Sequence, residues 1–227
     1  MDVIVIGDIH GHDTWEKVKD MKYDKVVFIG DYFDSFHIDG DTQIKNFKNI
    51  LKFYESDKEN ITLLTGNHCV SYLNPDLRCS GYQNGKAYEI GNLLKPLREN
   101  GGLKACKVIG DYLFTHAGVT KTWVETYNID INNLEKEMND LFMTNIYAYG
   151  FQDYPGHVRF SQSLCDPYGN DVFQSPCWVR PSSLLLDKID GYTQVVGHTP
   201  QKEINFKDDV WFVDCLDRRD EFLTLEI

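Results

Sequence analysis

The chain has no run of about 18 consecutive apolar residues, the least that a membrane-crossing helix needs. Its opening, MDVIVIGDIHGH, has neither a basic leader nor a cleavage pattern. A membrane partner and export are therefore not expected, and the sequence reads as that of a cytoplasmic protein. Positive charge is also scarce, since 23 Lys and Arg face 35 Asp and Glu for a formal net charge of −12. Duplex nucleic acid is held by broad basic surfaces, so it is not an expected partner, although bound metal ions would add charge that this count omits. The six cysteines are scattered with no C-x-x-C pair, which removes the zinc ribbon and the dithiol redox motif. No cysteine lies in a phosphatase loop of the cysteine-nucleophile kind, and reduced thiols are expected.

What is present suits one enzyme-sized core: 227 residues, 42% hydrophobic and 26% charged, predict a single domain over 1–227. Short β-branched runs at 3–6, 25–29 and 61–64 alternate with helical patterns, as α/β chains do. A capping box at Asp13-Thr-Trp-Glu16 predicts a helix to about Met21, and Asp41 is placed to cap a helix whose Ile44, Phe47, Leu51 and Tyr54 share one face. Residues 88–99 read as helical with an interruption at Pro96. Gly110-Asp111 predicts a hairpin between 107–109 and 112–115, and a helix carrying Leu134, Met138, Leu141 and Phe142 follows with Asp130 as its cap. Strands return at 194–196, 210–213 and 222–225, the last two expected to pair. Between them, 149–183 lacks periodicity but holds Phe160, Phe173 and Trp178, which predicts an ordered lid or substrate-binding loop.

Five polar motifs follow predicted strands: Gly7-Asp8-Ile9-His10, Gly30-Asp31-Tyr32-Phe33-Asp34, Gly66-Asn67-His68, His116-Ala117-Gly118 and Gly197-His198-Thr199. An Asp after a strand is by itself an ordinary turn former. Five such motifs, four of them introduced by glycine, point instead to one ligand site at the carboxyl ends of the strands. Carboxylate, imidazole and amide oxygen without thiolate suit manganese, iron, zinc or magnesium. Asp8 and His10 can grip one ion, Asp31 can bridge with its two oxygens, and Asn67, His116 and His198 can complete a second ion, as in two-metal phosphoryl-transfer sites.

This set, spanning Asp8 to His198 in order, resembles the calcineurin-like metallophosphoesterase superfamily, and GDIHG with GNH is most similar to its serine/threonine phosphoprotein phosphatase branch. The resemblance implies an α/β fold of two packed mixed β-sheets flanked by helices. It further implies two divalent ions, manganese first among the candidates, with Asp8, His10 and Asp31 on one and Asp31, Asn67, His116 and His198 on the other. His68 is then the proton donor to the leaving oxygen and Asp34 orients it, a division that also follows from an alkoxide's need for a proton and an imidazole's need for a fixed tautomer. The expected reaction is in-line attack on phosphorus by a hydroxide held between the ions, without a phosphoenzyme.

The branch usually reads GDxVDRG at its second motif, with the arginine on the substrate phosphate, whereas this chain has Ser35 in the arginine's place, and Cys69 stands where the branch has glutamate after GNH. Arg180, in Cys-Trp-Val-Arg-Pro, and Arg78, downstream of GNH, are the candidates to supply the phosphate-binding guanidinium. The leading expectation is a phosphomonoesterase acting on phosphoprotein or a small phosphate compound. The alternative enzyme is a nucleotide or dinucleoside polyphosphate hydrolase or phosphodiesterase, with Trp178 and Tyr168 available to stack a base. A third reading, a phosphoesterase fold that only binds, sits poorly with a full complement of ligands.

Overall fold

In β1 (Asp2–Ile6) successive side chains point to opposite faces, and both faces are apolar: Val3 and Val5 join one buried cluster, Ile4 and Ile6 another. A strand buried on both sides belongs inside a parallel sheet. The computed structural model describes residues 1–151 and 169–227. It places β1 beside β2 (Lys25–Phe28), followed by β3 (Ile61–Leu64) and β4 (Leu103–Lys104), all parallel, with β10 (Leu223–Glu226) antiparallel on the other edge. The second sheet runs β5 (Cys106–Ile109), β6 (Tyr112–Thr115), β7 (Thr193–Val196), β9 (Val210–Phe212), β8 (Asn205–Lys207), with its central three strands parallel and both edges antiparallel.

The sheets pack through Val3, Val5, Val27, Ile29 and Leu64 of the first against Phe114, Val195 and Val213 of the second. Helices α1 (Gly40–Ser56), α2 (Asn67–Leu73) and α3 (Ala87–Glu99) cover the outer face of the first sheet, where Phe47, Ile50, Ile90 and Leu94 share a cluster with Ile4, Val26 and Phe28. After α4 (Lys121–Thr126) and α5 (Leu134–Thr144), α6 (Pro181–Asp187) sets Leu184 against Val196, Val210 and Phe212 on the outside of the second sheet. The expected α/β sandwich of two mixed sheets is the observed one. Among the described residues no helix is long and apolar enough to cross a membrane.

Several local expectations are corrected. The capping box at Asp13 is not made: Asp13 has a non-helical backbone without a side-chain cap, and residues Thr14–Asp20 form a 3-10 helix. That turn is fixed by tertiary contact, the buried Trp15 indole donating to Asn46 Oδ1 at 2.8 Å. α1 is capped by Asp39, whose carboxylate accepts from the Thr42 N–H, and Asp41 lies inside the first turn. α3 runs through Pro96 without a break, because Ile90, Leu94 and Leu97 bury one continuous face. Asp130 caps the short Ile131–Asn133 turn, and α5 starts after it. The two last strands do not pair with each other: β9 lies between β7 and β8, and β10 returns to β1.

In the described flanks of 149–183, Tyr149, Gln174, Ser175, Cys177 and Val179 are buried, and the Pro176 carbonyl accepts from the Ala117 N–H at 2.7 Å. Phe160, Cys165 and Tyr168 lie outside the described residues. The five described cysteines are free thiols.

Candidate metal centre

The loops after β1, β2, β3 and β7 carry glycines that let another loop come close, and they meet His116, which follows β6 directly. A Cβ on Gly66 would stand 2.1 Å from Asp31 Oδ1, one on Gly197 2.0 Å from Asp8 Oδ1, and one on Gly7 2.3 Å from the Val213 carbonyl oxygen. These three glycines serve space, and Gly30 alone of the four also has a left-handed backbone, at φ 116°. The side chains they admit carry the strain: His10, Asp31, Asp34 and His198 all have positive φ, between 39° and 70°. Such conformations cost about 1–2 kcal/mol each, and backbone strain of this kind clusters at functional sites. Gly197→Ala is accordingly expected to push the Asp8 carboxylate aside and weaken metal binding about tenfold or more, while overpacking costs about 1–3 kcal/mol of stability. Metal titration and a thermal melt read the two effects separately.

The hydrogen bonds fix which atoms face inward. His10 Nδ1 lies 2.6 Å from the Phe33 carbonyl and His116 Nδ1 lies 3.1 Å from the Ile29 carbonyl. A carbonyl only accepts, so in each neutral ring Nδ1 carries the proton and Nε2 a lone pair. His116 Nε2 then meets Asp31 Oδ2 at 3.1 Å and Asn67 Oδ1 at 3.0 Å. Burial opposes charge on this ring, yet Asp31 and Asp8 raise the His116 pKa, so with no metal ion present a proton on Nε2 meets these two oxygens, and a bound cation would take that proton's place. His198 Nδ1 is 3.1 Å from the same amide oxygen, and its buried Nε2 has no hydrogen-bond partner among the described residues. Asp31 belongs to two such groups, one with His116 and His198 and one with His10 and His68. Asp8 enters from beneath, both its oxygens accepting from the His198 N–H at 3.0–3.1 Å. All six residues singled out as ligands are thus brought together, and their donor set fits divalent ions.

Charge points the same way. Burial and the neighbouring Asp31 push Asp8 up, against the pull of His116. Burial, Asp8 and Asp31 push Asp214 up to about 9. Burial also acts to raise Asp31, but His116 and His68 outweigh it and hold Asp31 well below the carboxylate range. Burial and His116 press His198 down. Three crowded acids are relieved by added positive charge. Asp214 was not among the expected site residues, although as an acid just past β9 it repeats the strand-end pattern without the glycine.

His68 stands at the start of α2, its N–H donating to Asp31 Oδ1 at 3.0 Å and its Nδ1 2.9 Å from Asp34 Oδ2. The other Asp34 oxygen accepts from the Tyr72 hydroxyl and, at 3.4 Å, from Gln83 Nε2. Burial opposes the charged imidazole, yet Asp31 and Asp34 hold the His68 pKa well above the usual histidine range. A histidine kept protonated beside a cleft is equipped to give a proton away. Tyr72 and Gln83 were not legible as parts of the site, though Tyr72, four residues after His68 on one helix, lies on the same face.

A cavity of about 260 Å³ opens over these groups, walled by Phe36, Trp178, Arg180, Pro200 and Asp214. Trp178 packs edge-on against His198 and Phe151. Arg180 precedes α6 and donates through Nη1 to the His198 carbonyl and Thr199 Oγ1, at 3.3 and 3.1 Å. Arg78 is not among the residues that line the cavity, and its guanidinium carbon stands over Tyr82, 4.9 Å from the ring centre.

The family model for calcineurin-like phosphoesterases matches residues 1–202. No curated protein sequence matches. Among solved structures, a cold-active protein tyrosine phosphatase superposes with a TM-score of 0.60 at 21% identity, over 99% of this chain and 73% of that one. A protein serine/threonine phosphatase from Saccharomyces cerevisiae with similarity to human phosphatase PP5 superposes with a TM-score of 0.55 at 15% identity, over 94% and 67%. At these identities the likeness is one of fold.

Proposed function

The chain belongs to the calcineurin-like phosphoesterase family, enzymes that hydrolyse phosphate esters with a pair of metal ions, and from that premise we propose that it cleaves phosphomonoesters in the cavity walled by Trp178 and Arg180. The observation that carries this reading is the double membership of Asp31, whose carboxylate is shared by two clusters able to hold an ion, one with His116 and His198 and one with His10 and His68. In this reading Asp8, His10 and Asp31 hold one ion and Asp31, Asn67, His116 and His198 the other. When bound, such a pair supplies a nucleophile at neutral pH and neutralises the phosphoryl oxygens. The nitrogen and oxygen donors suit manganese first, with iron, zinc and magnesium behind it. His68 holds its proton toward the leaving oxygen while Asp34, braced by Tyr72, fixes the ring. Arg180 turns its planar fork to the phosphate. Phosphatases among the structural neighbours support a phosphorylated substrate, and free thiols support a cytoplasmic setting.

Nucleotide hydrolysis is less well supported, because the Trp178 ring is already engaged by His198 and Phe151. The test is a panel on manganese-reconstituted protein: p-nitrophenyl phosphate and phosphopeptides are expected to turn over faster than bis(p-nitrophenyl) phosphate, cyclic nucleotides and dinucleoside polyphosphates. The reverse order would overturn the monoester reading.

Arg180→Ala is expected to lower kcat/KM on phosphomonoesters about 10- to 150-fold with metal content unchanged, since hydrogen bonds to a charged group contribute about 1.5–3 kcal/mol. Arg180→Lys keeps the charge without the fork and recovers part of the loss. Arg78→Ala is expected to match the wild type, given its place over Tyr82. Kinetics in which only Arg78→Ala loses activity would move the phosphate clamp to the loop after α2.

A further inference from the structure

One polar group beside the cavity is not used by the reaction. Cys79, half-buried, places Sγ 3.4 Å from His68 Nδ1, on the side where that nitrogen meets Asp34. Ligand atoms of Asp34, His68 and Cys79 all lie within 4.8 Å of one another. A tetrahedral ion with a metal–sulfur bond of about 2.3 Å and metal–nitrogen and metal–oxygen bonds of about 2.0–2.1 Å would separate its ligand atoms by roughly 3.3–3.6 Å. The observed sulfur–nitrogen distance is already there, and the 2.9 Å between His68 Nδ1 and Asp34 Oδ2 needs only a small opening. Beside the sulfur, Asn67 Nδ2 at 3.8 Å has a hydrogen to direct at a thiolate, as partners of metal-bound sulfur do, while Ser71 Oγ at 3.1 Å has one hydrogen that the Asn67 and Leu77 carbonyls also accept, at 3.1 and 3.0 Å.

The geometry points to a third, inhibitory metal site at Cys79, His68 and Asp34, selective for thiophilic divalent ions such as Zn²⁺ and Cd²⁺ over Mn²⁺ and Mg²⁺. Thiolate is the donor that the dinuclear centre lacks, and it discriminates between these two classes of ion. Binding releases two protons to solvent, one from the thiol and one from His68 Nδ1, and involves no redox change. It also disables the proton donor. With an ion in place of the Nδ1 proton, transfer from Nε2 would leave a metal-bound imidazolate, a far less favourable product than the neutral ring. This consequence rests on the reading of His68 as the acid, whereas the binding does not.

The test uses the full chain loaded with manganese and titrated with Cd²⁺, following the ultraviolet thiolate-to-cadmium charge-transfer band together with turnover of an alkyl phosphate, whose basic leaving oxygen needs the proton donor, with Cys79→Ser beside the wild type. Cys79→Ser is expected to keep basal activity, to lose the first charge-transfer step, and to need about tenfold or more Cd²⁺ for half-inhibition, since loss of even an indirect partner costs a metal site about 10–100-fold. An equal band and equal inhibition in both proteins would overturn the site, assigning the effect to exchange at the dinuclear centre or to another thiol. No band at stoichiometric Cd²⁺ would overturn it too, leaving the three side chains as a hydrogen-bonded chain only. A Cys79-dependent band without inhibition would uphold the site and overturn the proton-donor reading of His68.

Discussion

Asp31→Asn is expected to lose both metal ions from tight binding and to lower turnover by about 10³-fold or more. The substitution keeps the size of the side chain and one acceptor oxygen, so the His68 N–H and its bond at 3.0 Å can survive. What it removes is the charge and the second lone-pair-bearing oxygen, the one that faces His116 Nε2 at 3.1 Å. A carboxylate can face two ions at once, and an amide offers its NH₂ to one of them. Because the ions contribute several kcal/mol of charge stabilisation to the reaction, and each 1.36 kcal/mol is a factor of ten, losing their proper placement accounts for the size of the effect. Elemental analysis of the purified variant and turnover of p-nitrophenyl phosphate check both halves. Two tightly held ions with normal turnover would show that Asp31 is not the bridge.

The ligand positions could be read in the sequence because their chemistry is local. A parallel strand ends, a glycine makes room, and the next residue is a donor, as in Gly30-Asp31, Gly66-Asn67 and Gly197-His198. His116 lacks a preceding glycine but has Gly118 two residues on, whereas Asp214, between Val213 and Cys215, has no glycine beside it and gives no such signal. Short elements were equally hidden: α2 has seven residues, fewer than two full turns, so no face repeats often enough to announce a helix, and β4 has only two. With α2 unseen, Tyr72 had no reason to be placed beside His68 and Asp34. Partner choice between strands is non-local. The alternation of Leu223 and Leu225 with exposed residues says that one face is buried, but the same pattern suits pairing with β9 or with β1. At Pro96 the local rule lost to packing, since the apolar face of α3 continues past it to Leu97.

His68→Asn separates the proton donor from the metal site and is expected to produce a loss that depends on the leaving group. Its backbone N–H keeps Asp31 in place, and the six ligand side chains are untouched, so two ions should remain bound. The imidazole is what disappears, and with it the proton held on Nε2 while Nδ1 rests on Asp34. General-acid assistance contributes about 10²–10⁴-fold, and it matters most where the departing oxygen is a strong base. Phenyl phosphate and alkyl phosphates should therefore fall by about that factor, whereas p-nitrophenyl phosphate, whose leaving group is stable as an anion, should fall much less. A plot of log kcat/KM against leaving-group pKa would steepen relative to the wild type. Tyr72→Phe offers a milder version, because it removes one hydroxyl from Asp34 and leaves the His68 contact in place. It should steepen the same plot slightly and leave metal content alone. Parallel lines for His68→Asn and the wild type, displaced by one constant factor, would mean that His68 binds or orients the phosphate and that the leaving oxygen takes its proton from elsewhere.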